Sequence, residues 1–223
     1  MLGAVALVII FALVIRKPGH GPLPTGTPAS FDSFTSDSKM FSCGYPSSWH
    51  LESNAFDSKK DQPFPMPASP VDFKMDMAGF GNGFAAFDIN MDNMPSFLTP
   101  TTQSGPQKDD PQKVFTQLDR SMAQALVQNY KEVADRVVAC TLGHGDVVEF
   151  TGVAGASGGE SQVHGNVHGY CATFVTNGWH AVVTCSCPEA EWTATRPVFD
   201  EMIASLTPGP AVSSYVSHTI SPP

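Results

Sequence analysis

Three residues near the C-terminus come nearest to a metal centre. His168, Cys185 and Cys187 offer an imidazole and two thiols, the ligand types that hold tetrahedral zinc. His164 stands four residues before His168, on the same side of a regular strand. The spacing matches no zinc module, and the plainer reading is a strand end with one polar histidine and two packed thiols. Asp88-Ile89-Asn90-Met91-Asp92-Asn93 begins like a calcium loop. Such a loop wants glycine at its sixth position and glutamate at its twelfth. Asn93 and Thr99 stand there instead, so the stretch reads as a strand with its polar residues outward.

Serine and glycine motifs are equally incomplete. Ser157 sits between Gly155 and Gly159, but a nucleophile elbow needs a helix next, and here a strand follows. Gly79, Gly81 and Gly83 also lack a following helix, so they mark a turn and no dinucleotide fingerprint. No nucleophile–base pair, phosphate cradle or cofactor motif is legible, and no cofactor is expected. Trp49, Trp179 and Trp192 are the candidates for a partner-binding face, against the usual fate of aromatics as core.

The elements that would carry these residues are clearest at the C-terminal end. Asn177-Gly178 lies between two apolar-rich runs, and Asn-Gly suits a type I′ turn in which both central residues need φ > 0. A two-residue turn sets Thr176 opposite Trp179, Phe174 opposite Ala181, Ala172 opposite Val183, Tyr170 opposite Cys185 and His168 opposite Cys187. Side chains alternate along a strand, so Tyr170, Ala172, Phe174 and their partners share the bulkier face, which should meet the core. Cys171, Thr173, Val175, His180, Val182 and Thr184 share the other. After Pro188, Thr195 is a helix cap with Pro197 in the first turn, and Val198, Phe199, Met202, Ile203 and Leu206 form a helical stripe. Pro208-Gly209-Pro210 ends it.

Upstream, Met40–Pro46 and Ser47–Leu51 read as two short strands around a proline turn, and 57–70 as a surface loop. Val71–Met77 and Gly83–Met91 read as a hairpin whose turn is Gly79–Gly83. A polar loop covers 99–110. Asp110 caps a helix that starts at Pro111, with Phe115, Leu118, Met122, Leu126, Tyr130 and Val133 as its buried stripe. Val137–Leu142 and Asp146–Val153 are strands, and 155–160 is a loop.

The first fifteen residues, Met1–Ile15, are uncharged and apolar. As a helix they rise about 22 Å, short of the roughly 30 Å hydrocarbon core. They read as a membrane anchor, with a cleaved signal peptide as the alternative. Arg16 and Lys17 after the run place the domain on the cytoplasmic side, whereas a signal would export it, so the side of the membrane stays open. The organisation is therefore anchor or signal over 1–17, flexible linker over 18–38, one α+β domain over 39–208 and a disordered tail over 209–223. A formal charge of −9 with no basic stripe excludes nucleic acid as an expected partner. The five cysteines leave at least one thiol unpaired; a disulfide drawing on Cys43 or Cys140 stays open.

The order of these pieces resembles the PsbP/Mog1-like fold family. Tyr45-Pro46-x-x-Trp49 is similar to the family's early hairpin, a long middle helix precedes a strand that ends in Gly152, and a hairpin, Pro188 and a helix close in Phe199–Leu206. The resemblance covers Lys39–Pro208. It implies an antiparallel sheet with helices on both sides, an α/β/α sandwich. Members include an extrinsic photosystem II subunit, a nuclear Ran-binding protein and bacterial exported or lipid-anchored proteins, which implies binding or assembly in place of catalysis. The apolar N-terminus and linker depart from a free nuclear protein, and no lipobox cysteine is present. No family binding residue maps onto this chain. The expected function is thus a membrane-tethered, non-catalytic binding or assembly module for an unknown protein partner. The competing classes are a metal-dependent enzyme with a His/Cys site and a small-ligand carrier with a closed apolar pocket.

Overall fold

The computed structural model describes residues 30–57, 74–93, 110–154, 165–176 and 178–212. Strands β1 (Phe31–Thr35), β2 (Phe41–Pro46), β3 (His50–Asp57), β4 (Lys74–Gly81) and β5 (Ala86–Asn93) precede helix α1 (Pro111–Leu126). Strands β6 (Val127–Cys140), β7 (Gly143–Ala154), β8 (Gly165–Thr176) and β9 (Trp179–Pro188) follow, then helix α2 (Trp192–Ala204) and the short β10 (Thr207–Pro208). They build two antiparallel sheets, one of order β3-β4-β5-β9-β8-β7-β6 and one of order β1-β2-β10. The chain is a mostly-sheet α+β fold.

The β8–β9 hairpin has the register its turn chemistry predicts, from Thr176↔Trp179 to His168↔Cys187. Asn177 lies outside the described residues; Gly178 has φ +82°, the left-handed value that favours glycine. The bulkier face meets the core. Tyr170, Ala172, Phe174, Ala181, Val183 and Cys185 are buried there with Val198, Phe199, Met202 and Ile203 of α2 and with Phe34, Phe41 and Cys43 of the small sheet. At Gly169 the strands close so tightly that a Cβ would run into the Cys185 carbonyl and the Phe150 ring. The opposite face of the same strands receives α1: Ala123 packs with Cys171, Val182, Phe150 and Val167. One helix therefore covers each face of the large sheet.

Several expectations are corrected. The stretch expected to be linker contains β1, because Phe34 is buried against Phe41 and Phe80 and ties the strand down. The expected tail is ordered through Val212, which is buried, and the Gly209 N–H donates to the Met40 carbonyl at 2.7 Å. β2 and β3 form as expected but belong to different sheets. Gly79, Phe80 and Gly81 lie in β4, and the turn falls at 82–85, where Asn82 Oδ1 accepts from the N–H groups of Phe84 and Ala85.

α2 begins at Trp192, three residues before the expected cap. A turn of 3₁₀ helix over Glu189–Glu191 leads straight into it, and burial of Trp192 sets its start. Pro197 consequently sits inside the helix. The carbonyl it leaves unpaired is that of exposed Thr193, which water can reach. The expected anchor over Met1–Ile15 lies outside the described residues, within which no helix is long and apolar enough to cross a membrane.

Helix α1 differs most. It starts at the expected cap, where Asp110 accepts from the Gln112 N–H, but ends at Leu126. Tyr130 and Val133 belong to β6. Pairing with β7 decides this, and Asn129, at φ +52°, takes up the irregularity beside a register shift. Of its expected buried stripe Phe115 turns inward, together with Asp119 and Ala123, while Leu118 and Leu126 face out.

Candidate functional site

α1 docks on the sheet through polar side chains. Gln112 lies along the β8 backbone: its Nε2 donates to the Thr173 carbonyl at 2.9 Å and its Oε1 accepts from the Val175 N–H at 3.0 Å. Gln112 Nε2 and Thr116 Oγ1 both donate to Asp146 Oδ2, at 3.2 and 2.8 Å. Farther along the helix, Asp119 Oδ2 accepts from Thr173 Oγ1 at 2.6 Å and from His180 Nε2 at 3.0 Å. His180 Nδ1 faces Asp92 Oδ2 at 3.2 Å, and Phe115 stacks on the imidazole with ring centroids 4.4 Å apart. Positions 112, 116, 119 and 123 are spaced three and four apart, so they share one helix face.

Asp119, Thr173 and His180 are all buried. Burial alone would lower the His180 pKa, but the hydrogen bonds and charges of Asp119 and Asp92 outweigh it and hold the imidazolium, with a pKa of about 9. A folded-state value above the ordinary 6.5 means that the stabilisation is complete below pH 6.5 and is lost as pH rises toward 9. The expected result is that His180→Gln lowers the melting temperature clearly at pH 6 and by less at pH 9. A difference that stays constant across that range would refute the charged-histidine account.

With its polar side against the sheet, α1 turns apolar side chains outward. Val114 is 42% exposed, Leu118 39% and Leu126 42%; on β6, Val133 is 52% and Val137 65% exposed. Between α1 and β6 runs a groove of about 380 Å³, with Val148 and Asp146 among its lining and Thr116, Arg120, Asp135 and Val137 alongside. Arg120 holds it in shape: its guanidinium meets Asp135 at 3.0 Å and Glu132 at 3.4 Å.

The sequence-predicted site residues go elsewhere. His168 points its Nε2 at Glu149 Oε1, 2.8 Å away, and its Nδ1 toward Glu189 at 3.8 Å, while the ring lies flat on Trp192 at 4.0 Å. Cys185 and Cys187 are buried free thiols. Burial holds Cys185 well above its ordinary pKa and Cys187 at about 11. Among the described residues no group of three His, Cys, Asp or Glu side chains is arranged so that it could hold a metal ion. Cys43 and Cys140 are free as well, so the open disulfide does not form with either. His164 and the Ser157 loop lie outside the described residues.

Of the partner-binding candidates, Trp49 (8% exposed), Trp179 (4%) and Trp192 (7%) are buried in the main core. Asp88–Asn93 is strand, as its missing calcium-loop positions imply. The sequence reading passed over Gln112, Asp119, Asp146 and His180. The available signal was the three- and four-residue spacing of Gln112, Thr116 and Asp119 inside a helix otherwise read for its leucines.

No protein-family model matches the chain, and no curated protein sequence matches it. Solved structures do. Cyanobacterial PsbP (CyanoP) from Synechocystis sp. PCC 6803 matches with 14% identity over 85% of this chain and 98% of its own, at a TM-score of 0.49. The Ran-binding protein Mog1p of Saccharomyces cerevisiae matches with 10% identity over 83% of this chain and 98% of its own, at 0.44. A protein of unknown function from Pseudomonas aeruginosa matches with 13% identity over 81% of this chain and 98% of its own, at 0.38. The first two bear the names of the fold family that the sequence motifs resemble, and the likeness concerns the fold alone.

Proposed function

We propose that this chain is a non-catalytic binding or assembly module that offers the outer side of α1, with the groove beside it, to a protein partner. One observation carries the reading: α1 spends its polar residues on the sheet and leaves Val114, Leu118 and Leu126 facing solvent. A helix needing only to cover a sheet would bury its apolar side, since each buried leucine stabilises by about 1.5–3 kcal/mol. The non-catalytic reading is supported by His168 and His180, whose ring nitrogens are held by carboxylates under helices. The apolar sequence of Met1–Ile15 supports a membrane tether, which would raise the effective concentration of the module near membrane partners.

In-cell photo-crosslinking from position 118, in the full chain, tests both points. We expect a discrete crosslinked protein in the membrane fraction, lost in the variant Leu126→Asp and absent when the probe replaces Ala194 on the far helix. Indiscriminate labelling from both positions would sink the docking face. Full-length chain found wholly in the soluble fraction would sink the tether.

A further inference from the structure

We infer that two copies of this chain join edge to edge through β6, continuing the seven-stranded sheet across a two-fold axis at Val137. This goes beyond the docking face on α1: it shares Val137 with the groove but rests on the open edge of β6.

β6 ends the large sheet, and among the described residues only β7 pairs with it. Its register shifts are confined to the first half, between Gln128 and Ala134; from Ala134 to Cys140 the pairing is regular. Edge strands normally protect themselves with bulges, lysines or proline. The regular half of β6 reads Ala-Asp-Arg-Val-Val-Ala-Cys, without lysine, proline or bulge, and carries Val137 at 65% exposure. An open run of this kind asks for another strand. β3, the opposite edge, is equally regular, but among its described residues it carries no large exposed apolar side chain such as Val137.

Charge favours a second copy at this edge. The chain carries −9, so most of its surface repels its own kind. The segment 111–140 holds four Lys/Arg and three Asp/Glu, net +1, and the rest of the chain holds the other −10. α1 and β6 are therefore where two such molecules can approach without repulsion.

Register then selects the axis. In an antiparallel pairing of identical strands the two-fold stands perpendicular to the sheet, so each residue meets one on its own face. An axis at Asp135 or at Arg136 would press like charges together, which destabilises. An axis at Val137 places Val137 against its own copy, Arg136 opposite Val138 and Asp135 opposite Ala139. The exposed valine is then covered and no like charges face one another. α1 lies chiefly over β8, about two and a half strand spacings from this axis. The helices of the two copies would stand roughly 24 Å apart, beyond the 8–10 Å of helix packing. The two grooves thus merge into one trough between the α1 helices, whose apolar sides stay open to a partner.

Paired residues on an antiparallel axis have Cα atoms about 4.5–5.5 Å apart, within disulfide reach. In the purified full chain, we expect sedimentation equilibrium to report a dimer at micromolar concentration. Mild oxidation of Val137→Cys should then convert most of the protein to a covalent dimer, well above the untreated-sequence background from native thiols and above Ala194→Cys. Val137→Lys should yield monomer with an unchanged far-ultraviolet spectrum. A monomeric parent chain at tens of micromolar, or equal crosslinking from 137 and 194, overturns the inference. Either outcome leaves crosslinking from position 118 free to stand or fall by itself.

Discussion

Asp119→Ala loosens α1 from the sheet at a cost of about 3–5 kcal/mol, the range for breaking a buried ion pair by removing one partner. The substitution strands two groups at once: the Thr173 hydroxyl and one nitrogen of the buried His180 imidazolium. Asp92 remains on the other nitrogen, at 3.2 Å, and cannot serve both. In a chain of this size each kcal/mol moves the melting temperature by about 2–4 °C, so a fall of roughly 6–20 °C is expected in a thermal scan. Adding His180→Gln to Asp119→Ala should cost less than the two single losses together, because no imidazolium is then left unpaired. Additive losses, or a single-variant loss below 1 kcal/mol, would show that α1 is held by Phe115 and Ala123 instead of by the charge network.

Phe199→Ala should cost about as much, roughly 3–5 kcal/mol, through an entirely different mechanism: lost burial plus the cavity left behind. Phe199 is fully buried at the meeting of three elements. Its ring lies 6.2 Å from those of Phe87 on β5, Trp49 just before β3 and Trp192 at the start of α2. The loss should be flat between pH 6 and 9, unlike that at His180, and should weaken the near-ultraviolet tryptophan signal. Val137→Ala, on an exposed position, should stay within about 0.5 kcal/mol of the parent in the monomeric state. A Phe199→Ala variant as stable as the parent would mean that the aromatic cluster does not join α2 to the sheet.

Much of the fold was legible because the signals that specify it are local. Asn177-Gly178 sets a two-residue turn, alternation sets the faces, and every cross-strand pair of the last hairpin follows from those two facts. Asp110 before Pro111 announces a helix start through cap chemistry that acts within three residues. Val198, Phe199, Met202, Ile203 and Leu206 are buried because their neighbours in sequence leave no other apolar stripe to choose. Where the reading failed, the deciding partner lay far away. Thr195 resembled a cap by itself, but burial of Trp192 moved the helix start. Phe34 looked like linker until β2 and Phe80 came to meet it.

α1 is the instructive case. Its sequence contains two stripes: Leu118, Met122 and Leu126, which are apolar, and Gln112, Thr116, Asp119 and Ala123, which are mostly polar and are joined in burial by Phe115. Hydrophobicity favours burying the first. The sheet, however, presents Asp146, Thr173 and the His180–Asp92 pair where the helix must lie. Leaving such groups unmatched in a buried interface costs more than exposing two or three aliphatic side chains. Composition, turn chemistry and apolar spacing by themselves determined that this chain makes an antiparallel sheet closed by an amphipathic terminal helix, since those signals act over a few residues. Which side of α1 faces water, and with it the candidate docking surface, was decided only in the tertiary structure, because the groups that α1 bonds to lie 30 to 63 residues away in the chain.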